Sequence, residues 1–402
     1  MTNSLEDITR LPELLLGNDF PSSLYVHVPF CVSKCGYCDF NSYPGLEWLT
    51  ARYESALRRE LSLWSQHAGR PAMVLRIATI YFGGGTPTLL GTGGLKSVLD
   101  RCGQVFAVDA TAEVTVETNP GVADEIALVE LRSAGVNRLS IGIQSFDDGE
   151  LRFLGRIHTA DGARQAWSMA RQAGFENLNL DLMYGLPGQP VQYWRDNLEQ
   201  GLELEPEHIS LYALTIEEDT PLGKSIASGR IVEPDPDTAA EMYLLAEERL
   251  ERAGYHHYEI SNWAIPGREC AHNLTYWRNR HYLGVGAGAH SFLDSYRLCN
   301  LKGPLEYVQT LEGEGDSLPV SDIEHIDEKM AMGETMMLGL RLSEGVRAGD
   351  FLGRFGRTLE NAYGPCIEDL RRLGLLTWDG DSLRLTARGR LLGNQVFCRF
   401  VG

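Results

Sequence analysis

The sequence predicts an α/β fold. An incomplete, roughly six-unit parallel β/α barrel is followed by an irregular accessory region and a small C-terminal winged-helix-like domain. Three observations carry this expectation. Short apolar runs alternate with helical patterns through roughly the first 250 of 402 residues, as in a parallel sheet with right-handed crossovers. Polar and glycine-rich segments follow the strand candidates directly, where the loops of a barrel gather on one face. Past residue 320 the alternation gives way to a helix, an Asp-Gly hairpin signal and a closing helix.

The strand candidates, in order, are Leu24–Val28, Ile77–Phe82, Glu113–Glu117, Arg138–Ile143, Leu178–Met183 and Ile209–Leu214. Each is short and bounded by Gly, Pro, Asn or Asp. Between the first two, Tyr53, Leu57, Leu61 and Trp64 form one apolar stripe, with Arg58, Arg59 and Glu60 facing away. Thr238–Gly254 reads as a helix with Glu247, Glu248, Glu251 and Arg252 on its polar face and Gly254 as its stop. The expected organisation is an N-terminal extension (1–20), the partial barrel (21–254), the accessory region (255–320) and the C-terminal domain (321–402). That last domain opens with a helix around Ala331–Leu340, and Trp378-Asp379-Gly380-Asp381 predicts its hairpin. Winged helices often bind DNA, but this segment is only slightly basic, so a packing or partner-docking role is expected.

Hydrophobic residues make up 43 % of the chain and charged ones 23 %, ordinary for a globular protein. The formal net charge is −19, which argues against nucleic acid as a partner. The N-terminus is acidic and lacks the basic and apolar regions of a signal peptide. No apolar run is long enough to span a bilayer. A cytoplasmic location is expected, with membrane contact only through a partner. Of eight cysteines, Cys102, Cys270, Cys299, Cys366 and Cys398 are scattered and read as small buried hydrophobes.

The other three cluster. Cys31, Cys35 and Cys38 have the spacing C-x-x-x-C-x-x-C, with Tyr37 before the last. Closely spaced thiolates suit zinc or an iron–sulfur cluster. Closed zinc sites use a fourth protein ligand. Three thiolates on a cubane leave one iron open for a substrate or cofactor. In this run the chain resembles the radical S-adenosylmethionine (SAM) superfamily, in which the amino and carboxylate groups of SAM chelate the open iron.

The run Tyr81-Phe82-Gly83-Gly84-Gly85-Thr86-Pro87 strengthens the resemblance. Gly83, Gly84 and Gly85 match the glycine motif whose backbone receives the SAM amino group. The following Thr86-Pro87 is similar to the subgroup containing oxygen-independent coproporphyrinogen III oxidases. Carboxylates and amides at strand ends can hold ribose hydroxyls, and an arginine can hold a carboxylate. By resemblance, Glu117, Gln144, Arg156 and Asp181 match SAM-contacting positions, and Tyr25 matches a tyrosine near the cluster-bound methionine group. Taken singly, each is as commonly a solvated polar residue; their order along the chain gives them weight.

Two departures from the oxidase pattern stand out. Phe40 occupies its fourth cysteine position, and few residues precede Cys31. A third feature, His272-Asn273-Leu274-Thr275-Tyr276-Trp277, is an H-N-x-x-Y-W motif similar to that of the HemW-type haem chaperones. Imidazole is a common haem-iron ligand. This resemblance implies haem ligation by His272, whereas His290 and the pair His256-His257 read as structural. The implied ligands are a [4Fe–4S] cluster on Cys31, Cys35 and Cys38, exchangeable SAM, and haem. The implied activity is transfer of haem to an acceptor protein. The alternatives are an oxygen-independent coproporphyrinogen III dehydrogenase, or a radical SAM methyltransferase or haem-modifying enzyme.

Overall fold

The computed structural model describes residues 22–67 and 75–401. The expected N-terminal extension, 1–20, lies outside the described residues. The six expected strands are β1 (Ser23–Val28), β2 (Arg76–Gly84), β3 (Ala107–Thr118), β4 (Arg138–Gln144), β5 (Leu178–Tyr184) and β6 (His208–Ala213). They pair in chain order and run parallel. The crossovers are helices α1 (Thr50–His67), α2 (Gly91–Val105), α3 (Glu125–Ser133), α4 (Ala160–Gln172) and α5 (Val191–Leu202), and α6 (Pro236–Arg252) follows β6. Short polar side chains start several of them. Asp124, Thr159 and Asp235 accept from the first-turn backbone and satisfy donors that have no helical partner.

Side chains alternate across a strand, and here the two faces differ sharply. Leu24, Val26, Phe82, Val116, Leu139 and Ile141 share a buried core with Leu57, Leu61 and Trp64 of α1. The other face carries Ser23, Tyr25 and His27 on β1, Thr79 and Tyr81 on β2, Glu113, Thr115 and Glu117 on β3, then Arg138 and Ser140, Asn179 and Asp181, His208 and Ser210. This polar face lines the barrel interior and is knitted together. Asn179 donates to Ser140 and to Asp181 (both 2.7 Å), and His208 Nδ1 meets the Asn179 carbonyl at 2.6 Å. Rows of buried polar groups are unusual and mark an interior built for more than packing.

Residues 255–320 extend this sheet. β7 (His256–Glu259) and β8 (Asn262–Ala264) add antiparallel strands beyond β6, and β9 (Leu283–Val285) pairs in parallel with the outer side of β1. The nine strands lie in the order β9-β1-β2-β3-β4-β5-β6-β8-β7. No rung joins β9 to β7 among the described residues, so the barrel stays open. A second, antiparallel sheet follows: β10 (His290–Leu293), β11 (Tyr296–Asn300) and β12 (Val320–His325).

The C-terminal region has a core of its own, including Met336, Leu340, Phe351, Leu370 and Leu383. Its order is helix α8 (Glu328–Gly339), β13 (Val346–Arg347), α9 (Ala348–Phe355), α10 (Leu359–Arg372), then the hairpin β14 (Leu376–Asp379) and β15 (Ser382–Leu385). This is winged-helix topology. The hairpin turns at Gly380, whose φ of +58° suits glycine. Arg341 fastens the domain to the barrel, pairing with Glu259 at 3.4 Å and lying 4.3 Å over the Trp277 ring. Among the described residues, no helix is long and apolar enough to cross a membrane.

Candidate cluster and ligand site at the strand ends

The loop after β1 carries the three clustered cysteines. Its base is closed by two-residue strands, Phe30–Cys31 against Tyr43–Pro44, and a turn bond joins Cys38 N–H to the Cys35 carbonyl at 3.2 Å. All three thiols are free and half-buried. Burial raises the Cys31 and Cys38 thiols, and each also feels the charge of its neighbouring cysteines. Polar groups from different places approach the sulfurs. Thr86 Oγ1 lies 3.9 Å from Cys31 Sγ, Arg156 Nη1 3.7 Å from Cys35 Sγ, and Ser42 Oγ 4.0 Å from Cys38 Sγ. Among the described residues, no three His, Cys, Asp or Glu side chains gather tightly enough for a single metal ion. Three half-buried thiols presented by one loop match the donor set of an iron–sulfur cluster.

A polar network ties this loop to the strand ends. Arg156 donates through Nη2 to the Gly142 carbonyl (2.7 Å) and to Asn119, and Asn119 donates to Thr86 at 2.9 Å. Gln144 ends β4 with φ +68°, a conformation that costs a non-glycine residue energy and often accompanies a binding role. A Cβ on Gly142 would meet Asn119, Gln144 and Arg156 together, so these three side chains converge. Arg156 Nε and His158 Nδ1 are buried here without a partner. His158 Nε2 donates to the Ile143 carbonyl, so its Nδ1 is an acceptor; the unpaired Arg156 N–H beside the thiols fits a ligand with acceptor oxygens, such as the carboxylate of an amino acid.

Gly83, Gly84 and Gly85 answer to packing as well as to ligand access. A Cβ on Gly84 (φ +112°) would overlap the His27 ring, and one on Gly85 would lie 2.5 Å from the Phe30 carbonyl oxygen. Glu117 accepts from Tyr81 (2.8 Å) and from Gly84 N–H (3.2 Å), and burial pushes its carboxyl up to about 7. Tyr25 meets His27 Nδ1 at 3.0 Å, and His27 Nε2 meets the Asn41 carbonyl at 2.9 Å. Asp181 lies deeper, in the polar row; burial raises its carboxyl against donors from Asn179, Ser210 and Ser140.

Tyr25 and Glu117 open onto a cavity of about 360 Å³, whose other walls include Phe40, Tyr276, Tyr282 and His290. Tyr276 comes from helix α7 (Ala271–Trp277), which carries the H-N-x-x-Y-W motif. Glu113 accepts from the N–H groups of Ala271 (3.0 Å) and His272 (3.1 Å) at the start of α7, and Ser23 meets Thr275 at 2.7 Å. Ser23, Thr79 and Glu113 form one row across the sheet. That row lies five residues below the strand ends, about 17 Å at the rise of a β-strand. α7 thus lies across the N-terminal end of the barrel.

Haem ligation by His272, expected from its motif, is not met by this geometry. The side chain is 1 % exposed. Its Nδ1 meets Thr79 at 2.8 Å and its Nε2 meets Tyr276 at 2.9 Å, while its ring stacks on Tyr81. Both nitrogens are engaged, and burial pushes the imidazole down to about 3. The residue is a joint between the barrel interior and α7.

The sequence reading missed the polar interior, including Arg138, Asn179 and His208. The signal was available as a period of two in polar residues along β3 to β6. It also read His290 as structural, whereas His290 is an exposed wall of the cavity. Asn41 was missed because its role is long-range: it donates to the carbonyls of Ala287 (3.0 Å) and Lys302 (3.1 Å).

Comparison with known proteins bears on this arrangement. The model of the radical SAM superfamily matches residues 25–200, and that of the HemN C-terminal domain matches residues 326–392. A protein named Heme chaperone HemW from Bacillus subtilis (strain 168) is 38 % identical, over 94 % of this chain and 99 % of that protein. One of the same name from Mycobacterium tuberculosis (strain CDC 1551 / Oshkosh) is 37 % identical, over 98 % of both chains. Among solved structures, coproporphyrinogen III oxidase (HemN) from Escherichia coli superimposes with a TM-score of 0.84 at 22 % identity, covering 98 % of this chain and 93 % of that one. At that identity the likeness is one of fold.

Proposed function

Because the chain belongs to the radical SAM superfamily and, within it, to the family of proteins named Heme chaperone HemW, we propose that it is a cytoplasmic haem chaperone. It binds haem, a [4Fe–4S] cluster and SAM, and passes haem to an acceptor protein. Any membrane contact comes through that acceptor. The observation that carries this reading is the extent of the match, which runs through the cysteine loop, the strand ends and the cavity walls alike.

Cys31, Cys35 and Cys38 would hold the cluster. Such a cluster, when bound, supplies single electrons to the sulfonium of SAM at its open iron. Thr86 and Arg156 donate toward two of the sulfurs, which favours the more negative, reduced state. The unpaired Arg156 Nε–H is available to a SAM carboxylate, and Glu117 presents a buried acceptor beside Gly84. Gln144 and Asp181 offer an amide and a carboxylate to ribose hydroxyls. Tyr25, Phe40, Tyr276 and Tyr282 give the cavity flat apolar surfaces of the kind that pack on a porphyrin.

The test is anaerobic. Cluster-loaded protein with SAM and reductant is offered ferric haem in one arm and coproporphyrinogen III in the other. One equivalent of haem should bind and then leave to an apo-haemoprotein. Coproporphyrinogen III should be recovered unchanged. Multiple-turnover formation of protoporphyrinogen IX would replace this reading with that of a dehydrogenase.

A further inference from the structure

We propose that His290 binds the iron of haem lodged in the cavity beside the cysteine loop, and that Lys302 takes one propionate. The inference rests on the haem-chaperone reading and deepens it by naming the ligand.

Three imidazoles other than His290 lie in or under this site, and all are occupied. His27 is bonded through Nδ1 to Tyr25 and through Nε2 to Asn41. His272 is bonded to Thr79 and Tyr276, and His208 to Asn179 and Tyr258. Among the described residues, no group hydrogen-bonds to either ring nitrogen of His290, which is exposed on the cavity wall. Burial, then the charges of Arg297 and Lys302, push its imidazole down. The ring is therefore neutral near pH 7, with a lone pair for iron.

The backbone that carries His290 is fixed from several sides. Gly286 N–H donates to Glu60 (2.8 Å), Ala287 N–H to Tyr53 (2.7 Å), and Asn41 to the Ala287 carbonyl (3.0 Å). A Cβ on Gly288 would overlap the Asn41 amide, so the loop seats only with glycine there. A free imidazole on a fixed frame is preorganised to coordinate. Phe40, 65 % exposed, offers an apolar face beside it. Lys302 is near enough to act on His290 electrostatically, and its ammonium makes no ion pair among the described residues. Arg297, by contrast, is committed to Glu324 and Glu334. An exposed cation without an ion-pair partner near His290 suits a propionate.

Ferric haem is titrated into cluster-loaded wild type, His290→Ala, His290→Gln and Lys302→Glu, with absorption and electron paramagnetic resonance spectra recorded. Wild type should show a histidine-ligated spectrum. His290→Ala and His290→Gln should lose it and bind haem at least tenfold more weakly, with cluster content and circular dichroism unchanged. Added imidazole should restore the spectrum of His290→Ala. Lys302→Glu should weaken binding several-fold and leave the spectrum alone. If wild type binds no haem, the chaperone reading fails. If wild type binds haem and His290→Ala matches it in spectrum and affinity, that reading stands and the ligand assignment is overturned. Unchanged affinity in Lys302→Glu overturns the propionate assignment alone.

Discussion

Arg156 spends one guanidinium nitrogen on the Cys35 sulfur and the other on the Gly142 carbonyl and Asn119. A positive donor at a cluster sulfur favours the reduced state. Arg156→Gln should shift the reduction potential to more negative values by on the order of 50 mV, where 59 mV is tenfold for one electron. Spectroelectrochemical titration reads the shift, and an unchanged potential would detach Arg156 from the cluster. Replacing Cys31, Cys35 or Cys38 with Ala should abolish stable cluster incorporation, whereas Cys102→Ala, fully buried elsewhere, should not. Iron and sulfide analysis after anaerobic reconstitution decides this. His272→Ala should cost about 2–4 kcal/mol, from a core cavity and two orphaned hydroxyl partners. It should leave the iron-ligand spectrum of bound haem in place. Urea unfolding and a haem titration of one sample test both halves, and loss of the histidine spectrum would restore His272 as a ligand.

At the scale of elements, α7 depends on a residue far away in sequence. Glu113 on β3 accepts from the first two N–H groups of α7 and faces the buried Arg138 guanidinium electrostatically. Glu113→Ala removes a helix cap, worth about 1–2 kcal/mol. It also leaves a buried cation less compensated, which adds to the loss. The melting temperature should fall by several degrees, and a variant as stable as wild type would refute the tether. The same long-range dependence limited what the sequence could reveal. The six strands were legible because apolar residues alternate with polar ones under local turn signals. The cysteine loop and the glycine run were legible because their residues are adjacent. β9 was not, since three residues including Gly284 carry no strand pattern; a Cβ there would overlap the His290 carbonyl. The setting of His272 was not legible because its partners, Thr79 and Glu113, are more than 150 positions away.

Across the whole molecule, Glu60 pins the segment after β9 to α1. It is fully buried and accepts from Tyr307 (2.6 Å), Asn300 (2.7 Å), Gly286 (2.8 Å) and Trp64 (3.3 Å). Burial outweighs these donors and pushes its carboxyl from 4.5 up to about 7. Glu117 is raised to a similar value. A raised carboxyl gives stability that is fully present below pH 4.5 and is lost as pH climbs to about 7. Over that window each group lowers stability by about 3 kcal/mol at most. Buried neutral imidazoles such as His272 and His158 pull the opposite way over the same window, so the Glu60 contribution is read as the difference between wild type and Glu60→Gln in urea unfolding from about pH 4.5 to 7.5. Glu60→Gln should lack the falling component, so its stability relative to wild type should rise with pH across that window. A difference that does not change with pH would contradict the assignment.

The position of α7 has one more consequence. With a helix stoppering its N-terminal end, the barrel is a cup rather than a pipe, with its mouth at the strand ends and a side seam where no rung joins β9 to β7 among the described residues. The cysteine loop and the cavity beside it lie at that mouth. If haem and SAM bind as proposed, haem at the mouth would cover SAM beneath it and would have to leave first. Bound haem should slow the release of radiolabelled SAM, and a release rate indifferent to haem would mean that the cup has a second exit.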